Sequence, residues 1–228
     1  MGPDEFHDGY SDTTTPGLNN NAYTNMMAVW VLCRALEILG ILSDMRRTEL
    51  TMQLGISRND IDRWEDISRR MYLPFHQDGI LSQFEGYETL REFNWEDYRT
   101  RYGNIQRLDL ILEAEHDSPN HYKLSKQADV LMLFYLFSSE ELGELFARLG
   151  YPFEYETIPR NIAYYTDRLS HGSTLCRVVC AWVLARSDRP RAMNLFTEAL
   201  QRDVNDIQQG TTAEGIHLGA MAGTVALV

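Results

Sequence analysis

The sequence is poor in positive charge. It contains 21 Lys and Arg against 33 Asp and Glu, and its formal net charge is -12 at pH 7. Nucleic acids and anionic membranes usually bind surfaces of clustered Lys and Arg. We therefore expect neither as a partner. Phosphate can still bind, but a local pocket of hydrogen-bond donors must hold it, because the field of the whole surface opposes an anion.

Cysteine is scarce as well. The three cysteines are Cys33, Cys176 and Cys180, and each lies in an apolar stretch. Cys176 and Cys180 are spaced to share one helical face, but we assign no nearby histidine or second cysteine pair to them. We predict buried core thiols, no metal site and a reducing compartment.

Targeting segments are also lacking. No basic segment followed by an apolar stretch opens the chain, so no secretory signal is predicted. Residues 27–42 are strongly apolar, but Arg34 and Glu37 interrupt them and the stretch is short for a membrane span. We expect a cytoplasmic protein without a membrane partner.

Helical periodicity runs through most of the chain. It predicts about eight or nine helices and no convincing strands. Residues 23–42, 125–137, 175–185 and 220–228 are apolar on nearly every side, whereas the helices opened by Ser57 and Ser138 have a single apolar face. This alternation is typical of two concentric helical layers, as in an all-α toroid, and one domain is the simplest organisation for residues 1–228.

A carboxylate, Glu5, stands beside Asp4 and His7 in a loop punctuated by glycine and proline, shortly before the first apolar helix. Loops on a rigid scaffold often carry catalytic groups. A carboxylic acid that burial keeps protonated is the general acid that glycosidic bond cleavage needs. The alternative is that Asp4 and Glu5 simply cap and solvate a helix start.

Two hydroxyl-rich segments precede later apolar helices. One is residues 170–174, SHGST, and the other is residues 209–219, QGTTAEGIHLG. Hydroxyl and backbone N–H groups at a helix N-terminus can bind an anion. An ordinary Ser or Thr N-cap is the alternative for residues 170–174. The second segment is not a Walker A loop, because no Gly-Lys-Ser/Thr sequence follows it.

Residues 75–94 are rich in glycine, amides and aromatic rings and predict a long ordered loop. Such a loop suits sugar contacts, or it packs upon its own aromatic side chains. Lys126, in the predicted first turn of the second apolar helix, is poorly placed for the helix dipole. This misfit indicates another role for that lysine.

Five motifs together resemble glycoside hydrolase family 65, which contains the maltose, trehalose, kojibiose and nigerose phosphorylases. The resemblance runs in order from residue 2 to residue 228. The motifs are GPDEFH at residues 2–7, NNAYTN at 20–25, KQADV at 126–130, SHGST at 170–174 and GTTAEGIHLGAMAG at 210–223.

The resemblance implies an (α/α)6 barrel and inverting phosphorolysis of an α-glucoside to β-glucose 1-phosphate. Glu5 matches the general acid, and Lys126 and Gln127 match residues that hold the glucosyl unit; His7 and Asn21 are assigned to substrate binding as well. The phosphate pocket is expected at His171, Ser173, Thr174, Gly210, Thr211 and Thr212. Phosphate would be a co-substrate, and neither a cofactor nor a metal is expected.

The same resemblance leaves alternatives open. An inverting hydrolase needs a second carboxylate as base, and Glu214 would have to fill that role. The family's barrel also begins well before its general acid and includes a Trp-Asp pair that has no counterpart here. We therefore expect an incomplete barrel, the C-terminal part of a catalytic domain, whose exposed seam would favour a homo-oligomer. The functions left open are a phosphorylase, an α-glucoside hydrolase of the same fold, and an inactive helical piece that acts by assembly.

Overall fold

The computed structural model describes residues 4–13, 15–76, 79–205 and 211–227. Within these ranges the chain forms eleven α-helices and one pair of short strands. The helices are α1 (Ala22–Ile41), α2 (Asp44–Leu54), α3 (Arg58–Arg70), α4 (Trp95–Tyr102), α5 (Leu108–Ala114), α6 (Asp129–Leu136), α7 (Ser139–Leu149), α8 (Thr157–Thr166), α9 (Thr174–Leu184), α10 (Arg189–Gln201) and α11 (Leu218–Ala226). Strands β1 (Arg91–Glu92) and β2 (Tyr122–Lys123) pair in parallel, which the sequence did not predict.

The helices form two layers. The inner row is α1, α6, α9 and α11, in which each helix contacts the next. Outside it, α3 and α7 pack on α1, α8 packs on α6 and α9, and α10 packs on α9 and α11. The predicted two-layer, all-α architecture is therefore confirmed. The inner helices α6 and α9 carry much of the main core, because nearly all their apolar side chains are buried.

Helix starts follow the sequence signals closely. The side chains of Ser57 and Ser138 each accept a hydrogen bond from the backbone N–H three residues on. The carboxylates of Asp60 and Glu141 in turn accept from the backbone N–H of the cap residue. Both helix starts that the sequence predicts at these serines are thus closed by a capping box. The two boxes satisfy N–H groups that an uncapped helix would leave open.

The first inner helix is apolar on nearly every side, but only part of its surface is buried. Met26 and Val29 of α1 are fully buried, but Val31, Ile38 and Ile41 are 52%, 51% and 83% exposed. By length and composition alone α1 could cross a membrane, with a mean hydropathy of 1.4 in its most apolar window. Its contacts with α3, α6 and α7 place it in the helical layers, and one apolar face has no covering element among the described residues.

The start of α6 also differs from the prediction. The helix begins at Asp129, so Lys126 lies before it and not in its first turn. The dipole misfit inferred for Lys126 is therefore wrong, because the segment that presents this side chain precedes the helix. Residues 75–76 and 79–94 form the predicted ordered loop, apart from a short 3-10 helix at Tyr87–Thr89 and strand β1.

Helix α11 approaches α9 closely, as its small residues predict. A side chain at Gly223 would place its Cβ 2.8 Å from Val178 of α9. This contact places the middle of α11 against the first half of α9. The segments before these two helices carry predicted phosphate-binding residues.

Candidate active site

The segments in front of α6 and α9 are joined by backbone hydrogen bonds. The Ser125 N–H donates to the Arg168 carbonyl at 2.9 Å, and the Ser170 N–H donates to the Ser125 carbonyl at 3.0 Å. Gly172 then passes so close that a Cβ there would lie 3.2 Å from Lys126 Cγ and 2.3 Å from the Gln106 carbonyl oxygen. The KQADV and SHGST motifs are therefore neighbours at one end of the inner helices.

Residues 4–9 bring Glu5 to the same end. Phe6 is buried in a small second core, formed with α4 and α5, and His7 is buried as well. Glu5 precedes them with its side chain 68% exposed. The buried residues around it thus fix the backbone while the carboxylate faces outward.

Glu5 and Lys126 form an ion pair between the Glu5 carboxylate and Lys126 Nζ. The structure therefore brings together the predicted general acid and a predicted glucosyl-binding residue. The burial that we expected for a general acid at this position is absent at Glu5. Gln127 is part-buried directly beside Lys126.

Behind Glu5, the buried carboxylate of Asp4 collects several hydrogen bonds. Oδ1 accepts from the backbone N–H of Lys126 at 3.0 Å and of Phe6 at 3.3 Å. Oδ2 accepts from Gln83 Nε2 at 2.7 Å and contacts His7 Nδ1 at 2.8 Å. Asp4 thereby ties the Glu5 segment to the Lys126 segment and to the long loop before α4.

The contact between His7 and Asp4 contains a proton. His7 Nε2 lies 3.0 Å from the Tyr122 carbonyl, which can only accept, so Nε2 carries a hydrogen. If neither Nδ1 nor Asp4 Oδ2 carried a hydrogen, a lone pair of each atom would face the other at 2.8 Å. The cluster therefore holds a proton on His7 or on Asp4, and both ring nitrogens of His7 are engaged.

A second buried carboxylate, Asp129, completes the arrangement. It accepts from the Asp4 backbone N–H and from Asn21 Nδ2, each at 2.5 Å. Asn21 is the N-cap of α1, and its Oδ1 accepts from the Thr24 N–H at 2.9 Å. Burial, followed by the negative charge of Asp4, raises the pKa of the Asp129 carboxyl to about 7. We call Asp4, His7, Asn21, Gln83 and Asp129 the Asp4 frame.

The frame changes the interpretation of His7 and Asn21. Both are buried, at 2% and 6% exposure, and their polar atoms bond within the protein. Their assignment to substrate binding stays a prediction. Their contacts are those of residues that position the neighbouring Glu5 and Lys126 segments. Asp4, Gln83 and Asp129 were missed as site residues. Asp129 lies inside the KQADV motif, and its position three residues after Lys126 could have indicated a site residue. Nothing in the sequence indicated Gln83.

The predicted phosphate residues in front of α9 are well defined. His171 has a left-handed backbone conformation, with φ of 55°, which is uncommon for a residue other than glycine. Ser173 is the N-cap of α9 and accepts from the Leu175 N–H at 3.3 Å. Thr174 is the first helical residue. The N-cap alternative is therefore realised at Ser173, and phosphate binding there stays a prediction.

The remaining predicted phosphate residues are described less fully. Gly210 lies outside the described residues, and Thr211 belongs to a short 3-10 helix, Thr211–Glu214, without a described side chain. Thr212 is part-buried in the same helix. The side chain of Glu214, the alternative base, is likewise not described.

Two buried arginines lie behind His171. Arg177 donates from Nη1 to the His171 carbonyl at 3.0 Å and from Nε to Glu198 at 2.8 Å. Arg202 is 2% exposed, and none of its three guanidinium nitrogens has a hydrogen-bond partner within the described part of the chain. Burial, and next the charge of Arg177, lowers the pKa of Arg202 to about 10. We call His171, Arg177, Glu198 and Arg202 the arginine cluster.

Cys176 and Cys180 are both buried, but the expectation that no histidine lies near them is wrong. His171 Nδ1 is 3.3 Å from Cys176 Sγ, which is 3.8 Å from Cys180 Sγ. These three side chains could hold a metal ion by their spacing. The Cys180 contact and burial raise the pKa of the Cys176 thiol well above its usual value, and a nearby arginine also disfavours a cation. The protonated core-thiol interpretation fits these surroundings better.

Comparison with known proteins identifies the family of this site. The family model described as the glycosyl hydrolase family 65 central catalytic domain matches residues 1–226. An uncharacterized glycosyl hydrolase of Mycobacterium tuberculosis is 57% identical over 100% of this chain and 17% of its own length. The trehalose 6-phosphate phosphorylase of Lactococcus lactis is 34% identical over 100% of this chain and 28% of its own length.

Other similar proteins lie further away. The kojibiose phosphorylase of Caldanaerobacter subterraneus is 29% identical, with 98% of this chain and 26% of the relative covered. A solved structure from the human microbiome, described as a candidate kojibiose phosphorylase, has a TM-score of 0.75 and 23% identity over 98% of this chain and 28% of its own. That likeness shows the fold. The chain thus spans between 17% and 28% of the length of these relatives, and it belongs to the catalytic-domain family of glycosyl hydrolase family 65.

Proposed function

We propose that this chain supplies the acid side of a glycoside phosphorylase site. The reaction is inverting phosphorolysis of an α-glucoside to β-glucose 1-phosphate. The observation that carries the proposal is the contact between Glu5 and Lys126 at the end where the inner helices begin. Relatives named as phosphorylases, similar along this whole segment, support the same reaction class.

Glu5 would act as the general acid that protonates the departing glycosidic oxygen. Its exposed carboxylate is held outward by the buried Phe6 and His7, so it is free to meet a sugar oxygen. Lys126 and Gln127 would hold the glucosyl unit beside it. A sugar hydroxyl would then replace part of the Glu5–Lys126 ion pair.

Phosphate would be held in front of α9 and α11, by the N–H and hydroxyl groups at Ser173, Thr174 and residues 210–212 together with His171. Phosphate arrives as an anion, so the reaction needs no second carboxylate base. Asp4 and Asp129, which the structure brings behind Glu5, are buried in the Asp4 frame and occupied there. This arrangement favours phosphorolysis over hydrolysis, for which Glu214 would have to act as base.

The proposal includes a sugar and phosphate as small-molecule partners in the cytoplasm, with phosphate as co-substrate and no other cofactor. The disaccharide is a further choice. Because one relative at 34% identity is named a trehalose 6-phosphate phosphorylase, phosphorylated trehalose joins the candidate substrates. Kojibiose, nigerose and glucosylglycerol follow from the names of other relatives.

The test is product analysis with the purified chain. Each sugar is incubated with and without phosphate, and β-glucose 1-phosphate and free glucose are measured. We expect phosphate-dependent β-glucose 1-phosphate, with a loss of about 10²- to 10⁴-fold in kcat for Glu5→Gln. Glu96→Gln, an exposed carboxylate on α4, is the matched control and keeps wild-type turnover.

Two results contradict the proposal. Free glucose formed at the same rate without phosphate would make the protein a hydrolase. No product from any sugar, while circular dichroism shows the helical fold, would assign this chain a role by assembly alone.

A further inference from the structure

Asp129 has a place in the site that the proposed reaction does not use. It is 1% exposed and opens α6, three residues after Lys126. Its burial keeps it from meeting a sugar directly. Burying a carboxylate costs free energy unless its oxygens accept hydrogen bonds. The groups that donate to Asp129 therefore indicate what it does in the fold.

Those partners belong to segments that are distant in sequence. Asp129 accepts one hydrogen bond from the Asp4 backbone, next to the predicted acid, and another from Asn21, the N-cap of α1. In return, Asp4 accepts from the backbone N–H of Lys126, just before α6. The two carboxylates thus clamp the Glu5 and Lys126 segments in both directions.

Glu5 itself depends on this clamp. Its side chain is 68% exposed and contacts Lys126, so neither dense packing nor burial fixes the carboxylate. The backbone of residues 4–6 sets its position, and Asp129 holds the N–H at the start of that stretch. A small displacement there would move the acid relative to the scissile bond, and misplacement by about 1 Å can cost about 10²-fold in rate.

We propose that Asp129 is a positioning residue for phosphorolysis, which aligns the Glu5 carboxylate with Lys126 through Asp4 and Asn21. This inference rests on the proposed function, since it assigns Glu5 as the acid. It extends the site to a group that touches neither sugar nor phosphate. The role requires a hydrogen bond between the amide of Asn21 and the carboxylate of Asp129. The amide and the carboxylate can be swapped between the two positions to test it.

The exchange gives a decisive set of variants. In Asp129→Asn, two amide NH₂ groups face each other, or the new amide turns and its NH₂ opposes the Asp4 N–H, so one hydrogen bond is lost in either case. In Asn21→Asp, two carboxylates face each other. The double variant combines Asn21→Asp with Asp129→Asn. The amide introduced at position 129 then donates to the carboxylate introduced at position 21 and accepts from the Asp4 N–H, and that carboxylate still caps α1.

We expect each single variant to lower kcat by about 10- to 100-fold while KM for the sugar changes by about 3-fold or less, because the loss concerns alignment in the transition state. The double variant should return to within about 5-fold of wild type. Asp188→Ala, which removes the N-cap of the remote helix α10, is the control for general loss of helix stability and keeps wild-type kcat. Wild-type kcat in Asp129→Asn, or no recovery in the double variant, would overturn the proposal.

A second measurement separates this proposal from the proposed function. Lys123 and Lys126 are the two lysines of the chain, with side-chain exposures of 17% and 22%. Both are ion-paired, Lys123 with Glu92 and Lys126 with Glu5. Limited acetylation by acetic anhydride, followed by mass spectrometry of each lysine, therefore reports on the Glu5–Lys126 contact with an internal reference.

We expect Lys126 to be acetylated about 2- to 5-fold faster in Asp129→Asn, with Lys123 unchanged and the double variant restored to the wild-type rate. This readout works when the wild-type chain turns over no sugar, in which case the proposed function fails while the clamp is confirmed. An unchanged Lys126 rate in Asp129→Asn, or an equal rise at both lysines, would show that Asp129 does not align the pair.

Discussion

Two polar clusters that contain buried charged groups lie near the starts of the inner helices, and they differ in how fully their hydrogen bonds are made. In the Asp4 frame, both carboxylates and both ring nitrogens of His7 have partners at 2.5 to 3.3 Å. In the arginine cluster, Arg177 is bonded to Glu198 and to the His171 carbonyl, but Arg202 has no hydrogen-bond partner among the described residues.

The difference separates two kinds of buried charge. A charge whose donors and acceptors are matched fixes geometry, and removing one partner is costly because the others remain buried without it. A charge without partners lowers stability as it stands. The Asp4 frame has matched donors and acceptors and therefore fixes the geometry around Glu5. In the arginine cluster, the positive charge of Arg202 has no hydrogen-bonding partner among the described residues.

The largest effect should follow removal of Asp4. Asp4→Ala leaves the donors of Gln83, Lys126 and Phe6 without their acceptor, and leaves His7 Nδ1 without its hydrogen-bond partner. We expect the free energy of unfolding at pH 7 to fall by about 3 to 5 kcal/mol, as measured by urea denaturation. Glu5→Ala, next in sequence but 68% exposed, should change it by less than about 0.5 kcal/mol. Equal losses in the two variants would show that the Asp4 frame is no stronger than a surface pair.

Asp129 gives the frame a distinct dependence on pH. Its pKa is raised to about 7 in the fold, above its unfolded value, so the native state binds more protons than the unfolded state between about pH 4 and 7. Stability contributed by the protonated carboxyl is then lost as the pH rises through 7, by about 2 to 4 kcal/mol. Burial lowers the pKa of His76, which acts in the opposite direction.

The comparison of wild type with Asp129→Asn isolates this contribution, because His76 is common to both. We expect the free energy of unfolding of wild type to decrease more steeply between about pH 4 and 7 than that of the variant. Urea denaturation at several pH values measures the two slopes. Parallel slopes would mean that Asp129 stays ionised throughout, and the coupling with Asp4 would have to be abandoned.

The sequence predicted the scaffold better than the frame within it. Capping boxes at Ser57 and Ser138 are local signals, and each defined a helix start correctly. The pairing of β1 with β2 was missed because its two strands are short and far apart in sequence, so neither shows a recognisable period. The sequence could not predict which face of α1 is buried, because an apolar composition does not say which face receives a neighbour.

The candidate site shows the same limit. Lys126 and Glu5 were assigned through motifs, and the structure brings them into contact. Gln83 was not predicted as a site residue, because a single amide in a long loop forms no recognisable pattern. Its side chain nevertheless donates to Asp4 and accepts from Ser125. The short distance between His171 and Cys176 was missed because a left-handed turn at His171 folds the ring back over the first turn of α9. Such contacts depend on tertiary geometry and not on spacing.

The smallest effect tests the arginine cluster. Arg202→Met removes a buried guanidinium without partners among the described residues and keeps an apolar chain of similar length, so we expect a gain of about 1 to 3 kcal/mol in the free energy of unfolding at pH 7. Arg177→Met, one turn into α9, should instead destabilise the protein, because Glu198 and the His171 carbonyl lose their donor. Urea denaturation of the two variants gives changes of opposite sign if the clusters differ as described. A loss of stability in both variants would mean that Arg202 has a hydrogen-bonding partner after all, and the two clusters would then be equivalent.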